Sequence, residues 1–360
     1  MAREAVLLSY RLGGTDGVSV EAAKWEWALR SLGFAVRRVA GEVCGAARDD
    51  DVALPAYSIA APDGAGADPA ALTAAIGRAD LVVAENICSL PLNVGAAHAA
   101  GAALAEHRGR VVLHHYDLPW QRPALADVPR VPPAIPGALH VVINDRSRGE
   151  LAGRGIAALT IRSAFDFDAW AGDRDATRAQ LGFAPSDLVV LQPTRAIPRK
   201  NVPGGLRFGE ELADRLPARR VVYWLTGPAE DGYGTTLMRE LQGTSLPVTM
   251  GRAARAADAY AAADVVVFPS TWEGFGNPVI ESVVARRPLV VHRYPILDEI
   301  VSAGIRVFSV DDPDEVAGWL AAPDAALLES NREIGRRDYL LADLPARLEA
   351  AFGDHGWSSW

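Results

Sequence analysis

Short apolar runs alternate with longer segments of helical period along the chain, and the alternation starts afresh after residue 175. In the first half the strand candidates are 5–10, 35–40, 80–85, 110–116, 139–144 and 158–163, with helix candidates at 19–32, 68–78 and 91–107. In the second half, strand candidates at 187–192, 220–225, 246–250, 264–268, 288–292 and 306–310 interleave with helix candidates at 204–216, 232–242, 256–262, 277–286 and 313–321. Near-continuous apolar runs mark strands buried on both faces, as in parallel sheets covered by helices. A chain of 360 residues is also too long for one hydrophobic core. The expectation is an α/β protein of two Rossmann-like domains, 1–165 and 166–340, joined through the mixed, turn-rich segment 163–175. Residues 326–352 read as helical, and 341–360 are assigned to a C-terminal helix that either stays solvated or returns to the first domain. Ligands of open α/β sheets bind outside the carboxyl ends of the strands, so a cleft between two such sheets is the expected place for a site.

Charge and cysteine content narrow the function classes. The balance of 36 basic and 45 acidic residues gives −9, with no run of Lys or Arg, so no nucleic-acid partner is expected. Cys44 and Cys88 make neither a CxxC pair nor a disulfide framework, which fits a reducing cytoplasm. The N-terminal MAREAVLLSYRLGG lacks a secretory pattern. No apolar stretch approaches the ~18–20 residues that span a bilayer, so no membrane association is expected. HExxH and the serine nucleophile elbow are absent. The acidic triplets Asp166-Phe167-Asp168, Asp173-Arg174-Asp175 and Asp49-Asp50-Asp51 do not close an apolar strand before a glycine loop. They read as linker or surface acids, and neither a metal nor a cofactor is expected.

The chemistry concentrates at 264–288, DVVVFPSTWEGFGNPVIESVVARRP. An apolar strand leads into a turn, then Glu273, then Gly274, Phe275 and Gly276, then a helix carrying Glu281. Asn277 suits the N-cap and Pro278 the first helical position. A glycine loop at a helix start presents free backbone N–H groups that attract phosphate. Ionised carboxylates make the stronger hydrogen bonds, so Glu273 suits sugar hydroxyls and Glu281 a second polyol such as ribose. Residues 190–202, VLQPTRAIPRKNV, place Arg195 and Lys200 in a loop after a strand, with Arg199 as an additional cation. Such cations stabilise the negative charge that develops on a departing diphosphate.

These elements closely resemble glycosyltransferase family 4. EGFGNPVIE matches that family's E-x7-E element through Glu273 and Glu281, and Arg195 with Lys200 matches its R-x4-K element. The resemblance implies a GT-B fold of two Rossmann-like domains and retaining transfer from a nucleotide-diphosphate sugar. It assigns Glu273 to the donor sugar, Glu281 to the ribose and the loop amides, with Asn277, to sugar and phosphates. The loop at Gly251 and Arg252 would lie beside the base, which is left open between UDP- and GDP-linked donors. Gly13 and Gly14 match the family's first glycine loop against the donor phosphates, and the following Thr-Asp-Gly insertion makes Asp16 a candidate for the acceptor site. A His near the reacting centre is implied in 111–122, VVLHHYDLPWQR, by either His114 or His115. Asp117, Trp120 and Arg122 of the same segment, and Asn86 in the loop after the third strand, are acceptor candidates. The acceptor is expected to be a small molecule or glycan, with a soluble one preferred. The rivals are another GT-B enzyme such as a nucleotide-sugar 2-epimerase, and a non-catalytic nucleotide-sugar-binding protein.

Overall fold

The computed structural model describes residues 3–46, 48–62, 66–230 and 232–357. They form two compact units, residues 1–164 with 341–360 and residues 165–340. The first unit runs β1 (Arg3–Leu12), α1 (Gly17–Ser31), β2 (Phe34–Val43), β3 (Val52–Ala53), α2 (Pro69–Ile76), β4 (Leu81–Glu85), α3 (Val94–Ala105), β5 (Arg110–His115), β6 (Leu139–Val142), α4 (Asp145–Ala152) and β7 (Ala158–Thr160). The second runs α5 (Arg174–Leu181), β8 (Leu188–Gln192), α6 (Val202–Arg215), β9 (Val221–Leu225), α7 (Gly234–Gly243), β10 (Val248–Met250), α8 (Ala256–Ala262), β11 (Val265–Phe268), α9 (Asn277–Val284), β12 (Leu289–Val291), α10 (Leu297–Ser302), β13 (Phe308–Ser309), α11 (Pro313–Ala321) and α12 (Ala325–Tyr339). Helix α13 (Leu344–Asp354) then belongs to the first unit.

Every strand pair in both sheets is parallel. The first sheet has the order β3-β2-β1-β4-β5-β6-β7 and the second β10-β9-β8-β11-β12-β13. Successive side chains of a strand point to opposite faces. On β1, Ala5 and Leu7 therefore join one core with Trp25 and Leu29 of α1 and Leu344, Leu348 and Phe352 of α13. Val6 and Leu8 join the other, with Leu72 of α2 and Ala96 and Leu104 of α3. A fully buried Leu or Phe contributes about 1.5–3 kcal/mol, so the three apolar anchors of α13 fix it to the first sheet.

Helix ends differ from expectation near both chain segments 91–107 and 326–352. Residues 326–352 are not one helix. Phe165 N–H donates to Tyr339 O at 2.7 Å, and Phe165 pairs with Leu340 as an isolated bridge. That extended pairing and Pro345, second residue of the next helix, stop α12 and restart the chain as α13. The expected helix at 91–107 begins later, because Asn93 rather than Pro91 caps α3, accepting from Ala96 N–H at 3.0 Å. The acidic triplets are consumed by structure: Asp173 caps α5, Asp168 pairs with Arg336, and Asp51 holds Arg38.

Candidate active site

In each sheet the strand order reverses once, between β1 and β4 in the first and between β8 and β11 in the second. Ligands of open α/β sheets bind at this reversal, outside the carboxyl ends of the strands. In the second unit the two loops there are 193–201 and 269–276, which are the two segments carrying the charged motifs. They are fastened to each other: Thr271 N–H donates to Arg199 O at 2.9 Å, and Asn201 Nδ2 to Pro269 O at 3.2 Å. Gln192, at the end of β8, braces the first loop from below, donating from Nε2 to Lys200 O at 2.9 Å and to Thr194 Oγ1 at 3.0 Å, and accepting from the Tyr223 hydroxyl. A Cβ at Gly205 would stand 2.1 Å from Tyr223 Oη, so only glycine lets α6 approach this brace.

Within this frame Lys200 and Arg199 converge on Glu273. Lys200 Nζ lies 2.5 Å from Oε1 and Arg199 Nη1 2.8 Å from Oε2, with Arg199 also donating to Trp272 O at 3.0 Å. Lys200 and Glu273 are both buried, and Lys200 Nζ sits 5.3 Å over the Phe268 ring. Burial lowers the Lys200 pKa to about 8 against the pull of Glu273. Burial alone would raise the Glu273 carboxyl, but Lys200 and Arg199 outweigh it and hold it below the ordinary value. An ammonium has three N–H bonds, so Lys200 keeps donors for a second anion while bound to Glu273.

Arg195 stands apart from this group. Its Nη1 pairs with Glu230 Oε2 at 2.6 Å, both side chains being about 38% exposed, and the cation beside Lys200 is its neighbour Arg199. The start of α9 also differs from expectation. Gly276, at φ +97°, is the N-cap, Asn277 is the first helical residue and Pro278 the second. A Cβ on Gly276 would meet Tyr294 Oη at 2.3 Å, and that hydroxyl donates to Phe275 O at 2.9 Å. Phe275 itself is core, stacked with Phe165 and tilted against Tyr339. Gly274 and Glu281 are partly exposed, and Glu281 Oε2 accepts from the Tyr260 hydroxyl at 2.5 Å. Gly251 and Arg252 are exposed after β10, with Gly251 O accepting from Trp224 Nε1 at 2.8 Å.

The first unit carries its candidates on β5 and in the loops after β1, β4 and β5. A Cβ on Gly13, at φ +78°, would lie 2.2 Å from Cys44 O, so packing alone requires glycine there. Gly14 is partly exposed beside it. Asp16 is the N-cap of α1, accepting from Ser19 N–H at 3.1 Å and Ser19 Oγ at 2.8 Å. Asn86 adopts φ +63° and accepts from Tyr116 N–H at 3.2 Å. Asp117 pairs with Arg122 at 2.8 Å, partly exposed. Trp120 donates to Glu150 at 2.8 Å and carries Arg154 over its ring at 3.6 Å. Neither His114 nor His115 faces solvent: both are wholly buried. Nδ1 of His114 lies 2.7 Å from Glu85 Oε2, and His115 bonds Ser89 through Nδ1 and His140 through Nε2, the latter at 3.0 Å. They are strand residues fixed from within, and the segment first becomes partly exposed at Tyr116. Sequence reasoning missed Glu85, Tyr116 and Glu230. A carboxylate closing the apolar run DLVVAE was the available signal for Glu85.

Among the described residues no helix is long and apolar enough to cross a membrane, and no group of three or more His, Cys, Asp or Glu could hold a metal ion. Residues 197–324 match the family model described as glycosyl transferases group 1. Mannosylglucosylglycerate synthase of Thermotoga maritima is 27% identical, over 94% of this chain and 97% of its own. D-inositol 3-phosphate glycosyltransferase of Rhodococcus opacus is 31% identical over 51% of this chain and 42% of its own. Among solved structures, Anabaena Alr3699/HepE in complex with UDP-glucose superposes with a TM-score of 0.74 at 17% identity, covering 97% of this chain and 99% of that one. Sucrose-phosphate synthase from Thermosynechococcus elongatus does so at 0.72 and 16%, over 99% and 100%. The match to the glycosyl transferases group 1 model thus lies within the second unit, and the chain has the GT-B fold.

Proposed function

We propose that this chain is a retaining glycosyltransferase of the family 4 kind. It would move a hexose from a UDP- or GDP-linked sugar to a hydroxyl of a small-molecule or glycan acceptor, with neither a metal ion nor a cofactor. The observation that carries the reading is the convergence of Lys200 and Arg199 on Glu273 at the strand reversal of the second unit. In this reading Lys200 and Arg199 face the diphosphate, and Arg195 exchanges Glu230 for a phosphate oxygen. That exchange is cheap, since an exposed ion pair is worth only about 0–1 kcal/mol. Glu281, held by Tyr260, takes the ribose. Glu273 orients the transferred sugar, and amides of 274–276 with Asn277 close around it. Gly251 and Arg252 lie beside the base and Gly13 and Gly14 against the donor. Asn86, Asp117 and Arg122 of the first unit take the acceptor.

In the transfer itself the acceptor oxygen bonds to the anomeric carbon as the bond from that carbon to the diphosphate oxygen breaks. The departing phosphate accepts the acceptor's proton, and the cations stabilise the charge left on it. The name of the Thermotoga relative and the UDP-glucose bound to HepE favour a hexose donor and a hydroxyl-rich acceptor. The test is to incubate the protein in a chelator with UDP-glucose or GDP-mannose and an acceptor panel that includes glucosylglycerate and inositol 3-phosphate. Transfer with the donor's anomeric configuration is expected. An inverted product, or transfer only with magnesium, contradicts the reading. Epimerised donor without acceptor favours the epimerase instead.

A further inference from the structure

At the strand reversal of the first unit lies a buried polar cluster to which no step above has given a role. Glu85 ends β4 and His114 lies on β5, the neighbouring strand, and both are wholly buried. Glu85 Oε2 accepts twice, from His114 Nδ1 at 2.7 Å and from the Tyr116 hydroxyl at 3.0 Å. The other carboxylate oxygen, Oε1, and the other ring nitrogen, Nε2, are buried with no hydrogen-bond partner among the described residues. Leaving a buried polar group unmade is costly, and native structures retain few such groups.

The missing partner can be read from the two atoms. A carboxylate has no hydrogen to give, so Nδ1 of His114 carries the proton of that bond, and in the neutral ring Nε2 is an acceptor. Oε1 therefore awaits a donor, and a hydroxyl, donor and acceptor at once, satisfies Nε2 in either state of the ring. The Glu85 carboxylate within the cluster disfavours an anion there, and burial, with the carboxylates of Glu85, Glu21 and Asp16, pushes the Tyr116 phenol well above its ordinary pKa. Aromatic rings line the place, with Trp25 centred 4.2 Å from the His114 ring and Tyr116 4.6 Å from it. Tyr116, the partly exposed neighbour of the pair, sets its ring beside that of His114 and reaches Glu85 through its hydroxyl.

We propose that Glu85 Oε1 and His114 Nε2 form a hydroxyl-binding subsite for a neutral polyol portion of the acceptor, opened when the Tyr116 ring swings off Glu85. This rests on the reading that the first unit receives the acceptor. The subsite selects for hydroxyl donors and against phosphate or carboxylate at this point, whatever charge the acceptor carries elsewhere.

The experiment measures binding of myo-inositol and methyl α-glucoside by saturation-transfer NMR in the presence of UDP, with thermal stabilisation by UDP recorded in parallel. Wild type is expected to bind at least one polyol. Glu85→Gln, which swaps an acceptor oxygen for a donor, should weaken binding at least tenfold while the UDP shift is unchanged. Tyr116→Phe removes the tether of that ring and should tighten polyol binding at least threefold, the opposite sign, which a merely structural role would not produce. If Glu85→Gln does not fold, Tyr116→Phe alone decides. Absence of polyol binding in wild type, or unchanged affinity in the variant that decides, overturns the subsite. Absence of the UDP shift in wild type contradicts the donor reading instead.

Discussion

The Lys200 ammonium gives the donor site a measurable pH signature. Its pKa of about 8 means that about ten molecules in eleven carry the charge at pH 7 and about one in eleven at pH 9. If the diphosphate needs the charged form, affinity falls about tenfold over that interval, or about 1.4 kcal/mol. Binding at pH 8 should then take up about half a proton per nucleotide, seen as a dependence of the calorimetric heat on the buffer's ionisation enthalpy. The same group acts on stability. Its folded pKa lies below the ordinary 10.5, so between about 8 and 10.5 the unfolded chain binds more protons and stability rises with pH. The full span is at most about 3 kcal/mol. The assay is calorimetric titration with UDP or GDP at pH 7, 8 and 9, on wild type and Lys200→Met. The variant cancels ionisation of the nucleotide itself. Affinity that stays flat from pH 7 to 9, or a slope as steep in Lys200→Met as in wild type, refutes the assignment of Lys200 to the phosphates.

Other consequences are equally open to measurement. Glu273→Gln leaves Lys200 and Arg199 without their shared carboxylate, and should lower stability by about 3 kcal/mol in urea unfolding and abolish transfer; a stable, active variant would remove Glu273 from the site. Burial first, then the charge of His355, holds the His140 pKa down at about 4, and burial pushes His115 down as well. The unfolded chain therefore binds these protons first as pH falls from 6.5. Stability should drop by about 3 kcal/mol through His140 alone by pH 4, and a His140→Gln variant as acid-sensitive as wild type would refute this. Asp16→Ala removes the cap of α1 and should cost about 1 kcal/mol, which Asp16→Asn restores; if Asn does not restore it, capping is not what Asp16 does. Gly276→Ala puts a Cβ against Tyr294 at a left-handed position and should cost about 1–3 kcal/mol, read as a lowered melting temperature.

The sheets were legible because parallel strands bury both faces and leave continuous apolar runs such as DLVVAE and DVVVFPS. The strand missed is β3, with two residues, and among those shorter than expected are β7 and β10, with three each, and β13, with two. Helices α4, α5 and α10 were also missed; α4 and α5 are polar throughout much of their length, so their apolar stripe is narrow. Glu273 and Lys200 could be placed on strand-end loops and Glu281 in the helix that follows because a strand end and a helix start are local features. Which of Arg195 and Arg199 turns toward Glu273 could not be read, since that depends on the αL turn at Asn201 and the bond between Thr271 and Arg199. The burial of His114 and His115 was equally hidden. Polar residues closing an apolar strand look the same in sequence whether they meet solvent or, as here, Glu85 and Ser89.

Thermal unfolding with UDP, GDP, ADP and dTDP, first without metal and then with magnesium, addresses the donor site itself. A ligand at 100 times its dissociation constant adds about 2.7 kcal/mol, which for a unit of this size raises the midpoint by roughly 5–10 °C. One diphosphate should stabilise the protein equally with and without magnesium, and the shift should be smaller in Lys200→Met. No shift with any of the four, or a shift that requires magnesium, would contradict a metal-free nucleotide-sugar site built on Lys200, Arg199 and Glu273.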